Sequence, residues 1–211
     1  MGSDSIQAYF EKLSRLLLGT EVTDRQGNVL SLEEGASRAV RMLLSVGARP
    51  REGKDNSARK VVLVGNGGSA AIVSHMQNDL CKAVGVRAMV LTEPPLLTAL
   101  ANDHGYASGF ERLVELWADP GDILLAISSS GQSENILRAV EASVRRGCDV
   151  ITFSGFRCDN ALRRTGDLNF YVPDQAYGHV EVAHNALVHF LTDRAVMLRA
   201  EVPRSELTAD R

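Results

Sequence analysis

Two short stretches of glycine, asparagine and serine have the composition of anion sites, and two helical segments carry residues able to act on what is bound there. The first stretch is Gly65-Asn-Gly-Gly-Ser69, which follows an apolar run at residues 61–64 and leads into a helical pattern containing His75 and Asp79. The second is Ser128-Ser-Ser-Gly-Gln-Ser133, which follows an apolar run at residues 123–127 and leads into Glu-Asn-Ile-Leu-Arg. Main-chain N–H groups and hydroxyls at a helix N-terminus bind anions, so two such loops point to a phosphorylated ligand. His75 and Asp79 stand four residues apart and share one helix face. Toward the C-terminus, Glu181 and His184 are three apart, while Glu181 and His189 lie about 80° apart in helical rotation, which lets them share a site. His75, His179, His184 and His189, out of five histidines in the chain, fall in these two regions. Imidazoles and carboxylates held together suit proton transfer and divalent-cation binding.

Each loop also has a plainer reading. Gly65–Ser69 lacks both the G-x-G-x-x-G spacing of dinucleotide sites and the Gly-Lys-Ser/Thr of a Walker loop, and a glycine-rich strand-to-helix turn needs no ligand. In residues 128–133, four serines in six positions can surround a phosphate without a lysine, but a serine-rich turn that caps a helix has the same residues. The two loops together favour phosphate. His75 with Asp79 also reads as a helix-surface pair, and His189 as a core histidine.

The elements that must position these residues follow from periodicity. Apolar residues Ile6, Phe10, Leu13 and Leu17 predict an amphipathic helix over 5–18, capped by Ser5 or Ser3. Residues 23–28 are polar and turn-like. Ser31-Leu-Glu-Glu34 matches a capping box and starts a second helix over 31–46. Residues 47–58, rich in Arg, Lys, Gly and Asp, read as an exposed loop. Thereafter strands (61–64, 88–91, 123–127, 149–153, 168–172) alternate with helices (69–84, 95–102, 109–116, 133–146, 160–165, 180–198). Short apolar strands between helices predict a parallel sheet covered on both faces. The expected organisation is two N-terminal helices and a loop over 1–58, an α/β domain over 59–200, and a polar tail over 201–211. The first two helices either cover one side of the domain or pack against another subunit.

Composition narrows the class. The chain has 211 residues with 45% hydrophobic and 23% charged, ordinary globular values. A net charge of −3 argues against a nucleic-acid partner. Cys81, Cys148 and Cys158 have no metal-ligand spacing and read as reduced thiols. With no signal-like N-terminus and no run long enough for a membrane span, a cytoplasmic location and no membrane partner are expected.

From Val61 to about Leu198 the chain resembles the SIS (sugar isomerase) domain family, through the GNGGS loop at 65–69 and the SxSGxS loop at 128–133. Within that family it is most similar to the phosphoheptose isomerases. The resemblance implies a flavodoxin-like, three-layer α-β-α fold with a five-stranded parallel sheet, preceded by two N-terminal helices and assembled as a homotetramer with sites between subunits. It implies phosphosugar contacts from Asn66, Gly67, Gly68, Ser69, Asp79, Asn102, Asp103, Ser128, Ser129, Ser130, Ser133 and Glu181. For Asn102-Asp103, a helix-ending turn is the plainer reading. The implied reaction is aldose–ketose isomerisation, sedoheptulose 7-phosphate to heptose 7-phosphate or a close analogue, with Asp79 as base and His189 as acid. The implied cofactor is one zinc per site, held by His75, Asp79, Glu181 and His189.

The chain departs from the family at several positions. Asp79 replaces a glutamate and is one methylene shorter. Glu181 replaces a glutamine and adds a negative charge. Lys82-Ala83 stands where the family has an arginine, and Gly178-His179 where it has Asp-Arg, so the pocket that reads the sugar hydroxyls differs. The spacing of His184 to Glu181 also suits a metal, whereas the resemblance selects His189. The competing functional reading is a non-catalytic, phosphosugar-binding SIS regulator or adaptor.

Overall fold

The computed structural model describes residues 5–46 and 59–201, so the loop expected at 47–58 and the tail expected after 201 lie outside the described residues. In chain order the elements are α1 (Ile6–Leu18), β1 (Glu21–Asp24), β2 (Val29–Leu30), α2 (Leu32–Ser45), β3 (Val61–Gly65), α3 (Gly67–Asp79), β4 (Ala88–Val90), α4 (Pro94–His104), α5 (Gly109–Trp117), β5 (Ile123–Ser128), α6 (Glu134–Arg145), β6 (Asp149–Ser154), β7 (Leu168–Tyr171) and α7 (Tyr177–Glu201). A π-helical turn (Leu80–Val84) and 3-10 turns (Tyr106–Ser108, Leu162–Arg164) complete them.

The expected caps form. Ser5 accepts from the Ala8 N–H at 3.1 Å and Ser31 from the Glu34 N–H at 3.2 Å. Each satisfies an N–H that the first helical turn leaves without an intrahelical partner.

One sheet runs in the order β2-β1-β7-β6-β5-β3-β4. Its β7-β6-β5-β3-β4 portion is parallel throughout and is the expected flavodoxin-like five-stranded core. The sheet is wider than expected because 21–30 forms a hairpin, whose β1 pairs antiparallel with β7 from Glu21↔Tyr171 to Asp24↔Leu168. The turn between its strands is made by Asp24, whose carboxylate accepts from the N–H groups of Gln26 and Asn28, an arrangement that aspartate favours.

Successive strand residues face opposite sides of the sheet. Val61 and Leu63 pack on one side with Leu43, Val73, Met76, Val188 and Leu191, from α2, α3 and α7. Val62 and Val64 pack on the other with Phe110, Val114, Ile136 and Val140, from α5 and α6. Leu13, Leu16 and Val22 belong to the first of these cores, so the N-terminal helices and hairpin are continuous with the sheet domain.

Neighbouring strands β3 and β5 therefore send their following helices, α3 and α6, to opposite faces. In open α/β sheets such a divergence leaves a crevice at the carboxyl ends of the strands, where ligands bind. Among the described residues no helix is long and apolar enough to cross a membrane.

Candidate functional site

The crevice between β3 and β5 holds both loops. A cleft of about 270 Å³ is lined by Asn66, Gly67, Gly68, Ser69, Ser128, Ser129, Ser130, Ser133, Tyr177 and Glu181. Nine of these ten were expected from the sequence. Larger clefts lie at Phe156–Asp159 with Tyr171, Pro173, Asp174 and Gln175 (about 510 Å³), beside Arg25 and Arg163 (about 480 Å³) and beside Leu17, Leu187 and Phe190 (about 350 Å³), but none is lined by the glycine or serine loop.

The first loop delivers main-chain N–H groups at the start of α3. Asn66, not Ser69, is the N-cap, and it makes no side-chain cap hydrogen bond. Ser69 sits within the first turn and is buried. The Glu181 carboxylate lies directly over Gly68, where a Cβ would come within 2.3 Å of it.

In the second loop, Ser128 Oγ donates to Ser133 Oγ at 3.2 Å, while Ser129 Oγ is buried without a protein partner among the described residues. Gly131 has φ +62°, and a Cβ there would lie 2.0 Å from Asn160 Oδ1. Asn160 is fully buried, donating to Ser154 Oγ, Gly155 O and Arg157 O and accepting from the Arg163 N–H. The serine loop thus rests on an interior asparagine and not on a mobile surface.

Farther along α3, at the opposite end from its loop, His75, Asp79 and His189 come together. Their candidate ligand atoms all lie within 4.8 Å of one another. Asp79 Oδ2 is 3.4 Å from His75 Nε2 and 3.5 Å from His189 Nδ1, and the two imidazole centroids are 4.7 Å apart. The α7 helix packs beside α3 and so brings in His189. Two imidazole nitrogens and a carboxylate are the donor types of a zinc site, and the mutual distances fit one ion. Asp79 is the last residue of α3, immediately before the π-turn at Leu80–Val84; insertions of this kind recur at functional sites.

Glu181, expected as a fourth ligand, is not in that group; its carboxylate rests over Gly68 in the cleft between the two loops. Helical rotation puts Glu181 and His189 on related faces, but eight residues of rise separate them by about 12 Å along α7.

The structure resolves the choice between His184 and His189. His184 is wholly buried, its Nε2 is 3.1 Å from the Ser154 carbonyl oxygen, and burial pushes its pKa down to about 4. It is a neutral core histidine. His179 is also buried: it stacks on Tyr9 at 4.3 Å, with Nδ1 3.4 Å from Asp174 Oδ2. Lys12 pairs with the same Asp174 oxygen at 2.6 Å, so this cluster ties α1 to the start of α7.

Asn102 and Asp103 lie exposed at the C-terminal end of α4, hydrogen-bonded to each other at 2.8 Å, and do not line the cleft. Three residues escaped sequence reasoning. Tyr177 lines the cleft and packs edge-on against Phe156 at 4.8 Å. Asn135 and Tyr106 hydrogen-bond the Asn66 side chain. The sequence offers no trace of Asn135 beyond an asparagine in the first turn of an amphipathic helix.

The chain matches the SIS domain family over residues 55–155. It is 31% identical over 157 residues to the phosphoheptose isomerase of Thermodesulfovibrio yellowstonii, covering 72% of this chain and 78% of that one. It is 35% identical over 141 residues to that of Syntrophotalea carbinolica, covering 64% and 71%. Its fold superposes on a phosphoheptose isomerase from Francisella tularensis with a TM-score of 0.75 at 27% identity, covering 92% of this chain and 97% of that one.

Proposed function

The chain belongs to the SIS domain family, among relatives named phosphoheptose isomerase, and from that membership we propose that it interconverts sedoheptulose 7-phosphate and heptose 7-phosphate or a close analogue. The observation that carries this reading is the arrangement along α3. An anion-binding loop occupies its N-terminus and the His75–Asp79–His189 cluster its other end. Ser69 and His75 are separated by about 9 Å of helical rise. A sugar phosphate held by its phosphate at the loop extends toward the cluster with its carbonyl end.

The first-turn N–H groups of α3 and the hydroxyls of Ser128, Ser129, Ser130 and Ser133 bind the phosphate. Asp79 takes a proton from C1 of the ketose while His189 gives one to the C2 carbonyl oxygen, forming the enediol. Removal of the O1 proton and return of a proton to C2 complete the aldehyde. His75, Asp79 and His189 fit a divalent cation, zinc by donor type, which when bound supplies Lewis-acid polarisation of the substrate carbonyl. Glu181, placed in the cleft, acts as an acceptor for substrate hydroxyls.

We place the protein in the cytoplasm as a homotetramer whose neighbouring subunits share sites. Exposed Asn102 and Asp103 would reach a neighbour's substrate. An apolar groove of about 350 Å³, lined in part by Leu17, Leu18, Phe170, Leu187 and Phe190, supports subunit packing.

Asp79→Ala and His189→Ala are each expected to fold and to lose turnover of sedoheptulose 7-phosphate by about a hundredfold or more. Normal turnover in either would sink the assignment. Assays of C6 and C7 ketose phosphates with and without added zinc test the substrate and metal together, and a chain inert on all of them would point to the regulator reading.

A further inference from the structure

Asn66 occupies the N-cap of α3 without capping it. Asparagine is among the strongest N-cap residues, its side-chain oxygen ordinarily accepting from the second or third N–H of the helix. Here that oxygen is already engaged. Asn66 Oδ1 accepts from Asn135 Nδ2 at 2.9 Å and from the Tyr106 hydroxyl at 2.7 Å. Asn66 Nδ2 donates to Asn135 Oδ1 at 2.9 Å, and Asn135 Oδ1 also accepts from the Ile136 N–H at 3.0 Å. Asn135 is 3% exposed and Asn66 half-buried, so the reciprocal amide pair is shielded from water on its Asn135 side.

We propose that Asn135 is a positioning residue that holds the Asn66 side chain off the end of α3, leaving the N–H groups of Gly67, Gly68 and Ser69 open to the substrate phosphate. The same pair spans the crevice. Asn66 belongs to the glycine loop, and Asn135 stands two residues past Ser133, the last hydroxyl of the serine loop. The amide pair therefore sets the spacing between the N–H groups and the hydroxyls. Released from Asn135, Asn66 would turn inward, cap α3 and compete with the anion for the same donors.

This inference rests on the phosphosugar reading, and calorimetric titration of the full-length chain with inorganic phosphate separates the two. In Asn135→Ala, phosphate affinity is expected to fall about fivefold, the scale of one competing cap. In an Asn66→Ala background, which has no side chain able to cap, the same Asn135→Ala change is expected to cost less than about twofold. Affinity within about twofold of the parent in Asn135→Ala overturns the proposal, as does a full fivefold loss that persists without the Asn66 side chain, the mark of a merely loosened fold. Should Asn135→Ala fail to fold, Tyr106→Phe at the exposed rim removes the other donor to Asn66. It is expected to weaken phosphate about twofold, only when Asn66 is present; no change would equally overturn the proposal. A parent chain that binds no phosphate overturns the phosphosugar reading itself, whereas phosphate binding insensitive to Asn135 removes only the positioning role.

Discussion

Glu181 stands where the family resemblance implies a glutamine, and its carboxylate rests against Gly68, in a cleft otherwise lined by groups suited to an anion. A fixed negative charge there opposes a phosphate dianion and favours a hydroxyl. Glu181→Gln keeps the shape and removes the charge. It is expected to raise affinity for inorganic phosphate about threefold, the Coulomb effect of one nearby charge in a largely solvated cleft, as read by calorimetry. Equal affinity in both proteins would show that the carboxylate does not face the anion. Asp79 is the other altered position. Although one methylene shorter than glutamate, it comes within 3.5 Å of both histidines, so the shorter side chain still completes the cluster.

At the scale of elements, the caps at Ser5 and Ser31, the five parallel strands and the long last helix were legible because each rests on local periodicity or a local hydrogen bond. The hairpin was not. Its β2 strand is two residues long, and only Val22 of β1 is buried, too little for alternation to show. Its turn, made by Asp24 and Asn28, was visible, but what pairs with it is β7, about 145 residues away along the chain. The join between α7 and β6 has a pH signature. His184 binds its proton more weakly when folded, with a pKa of about 4 against 6.5 for the free side chain. Above pH 6.5 it is neutral in both states and costs nothing. As pH falls from 6.5 toward 4, the unfolded chain takes up a proton that the folded chain refuses, and stability drops by up to about 3 kcal/mol. In His184→Phe the Ser154 carbonyl keeps the Val172 N–H at 2.9 Å but loses the imidazole, which costs about 1 kcal/mol at neutral pH, but the decline between pH 6.5 and 4 should be smaller by the His184 share. Thermal melts across that range would check this, and an unchanged pH slope would remove His184 as its source.

On the scale of the whole molecule, α1 and α7 leave Ile6, Phe10, Leu18, Val182 and Phe190 exposed, and Leu18 and Phe190 line one apolar groove with Leu17 and Leu187. If this face joins subunits, Phe190→Glu should shift the particle to a smaller mass by light scattering, and it should reduce turnover as well if Asn102 and Asp103 act on a neighbour's substrate as proposed. An unchanged mass would remove this face from the assembly. The sequence by itself determined the parallel α/β core, the glycine-rich and serine-rich loops at the strand ends and the pairing of His75 with Asp79, because each is a statement about residues near one another along the chain. Spacing along the last helix left His184 and His189 open and the family resemblance selected His189; packing buries His184 against Ser154 and brings His189 to Asp79. Only the tertiary structure shows that Glu181 lies in the cleft and apart from the His75–Asp79–His189 cluster, and that Asn135 pairs with Asn66. Those outcomes depend on how α3, α6 and α7 approach one another over the crevice, a geometry set by the two cores on either side of the sheet and not by spacing along any one helix.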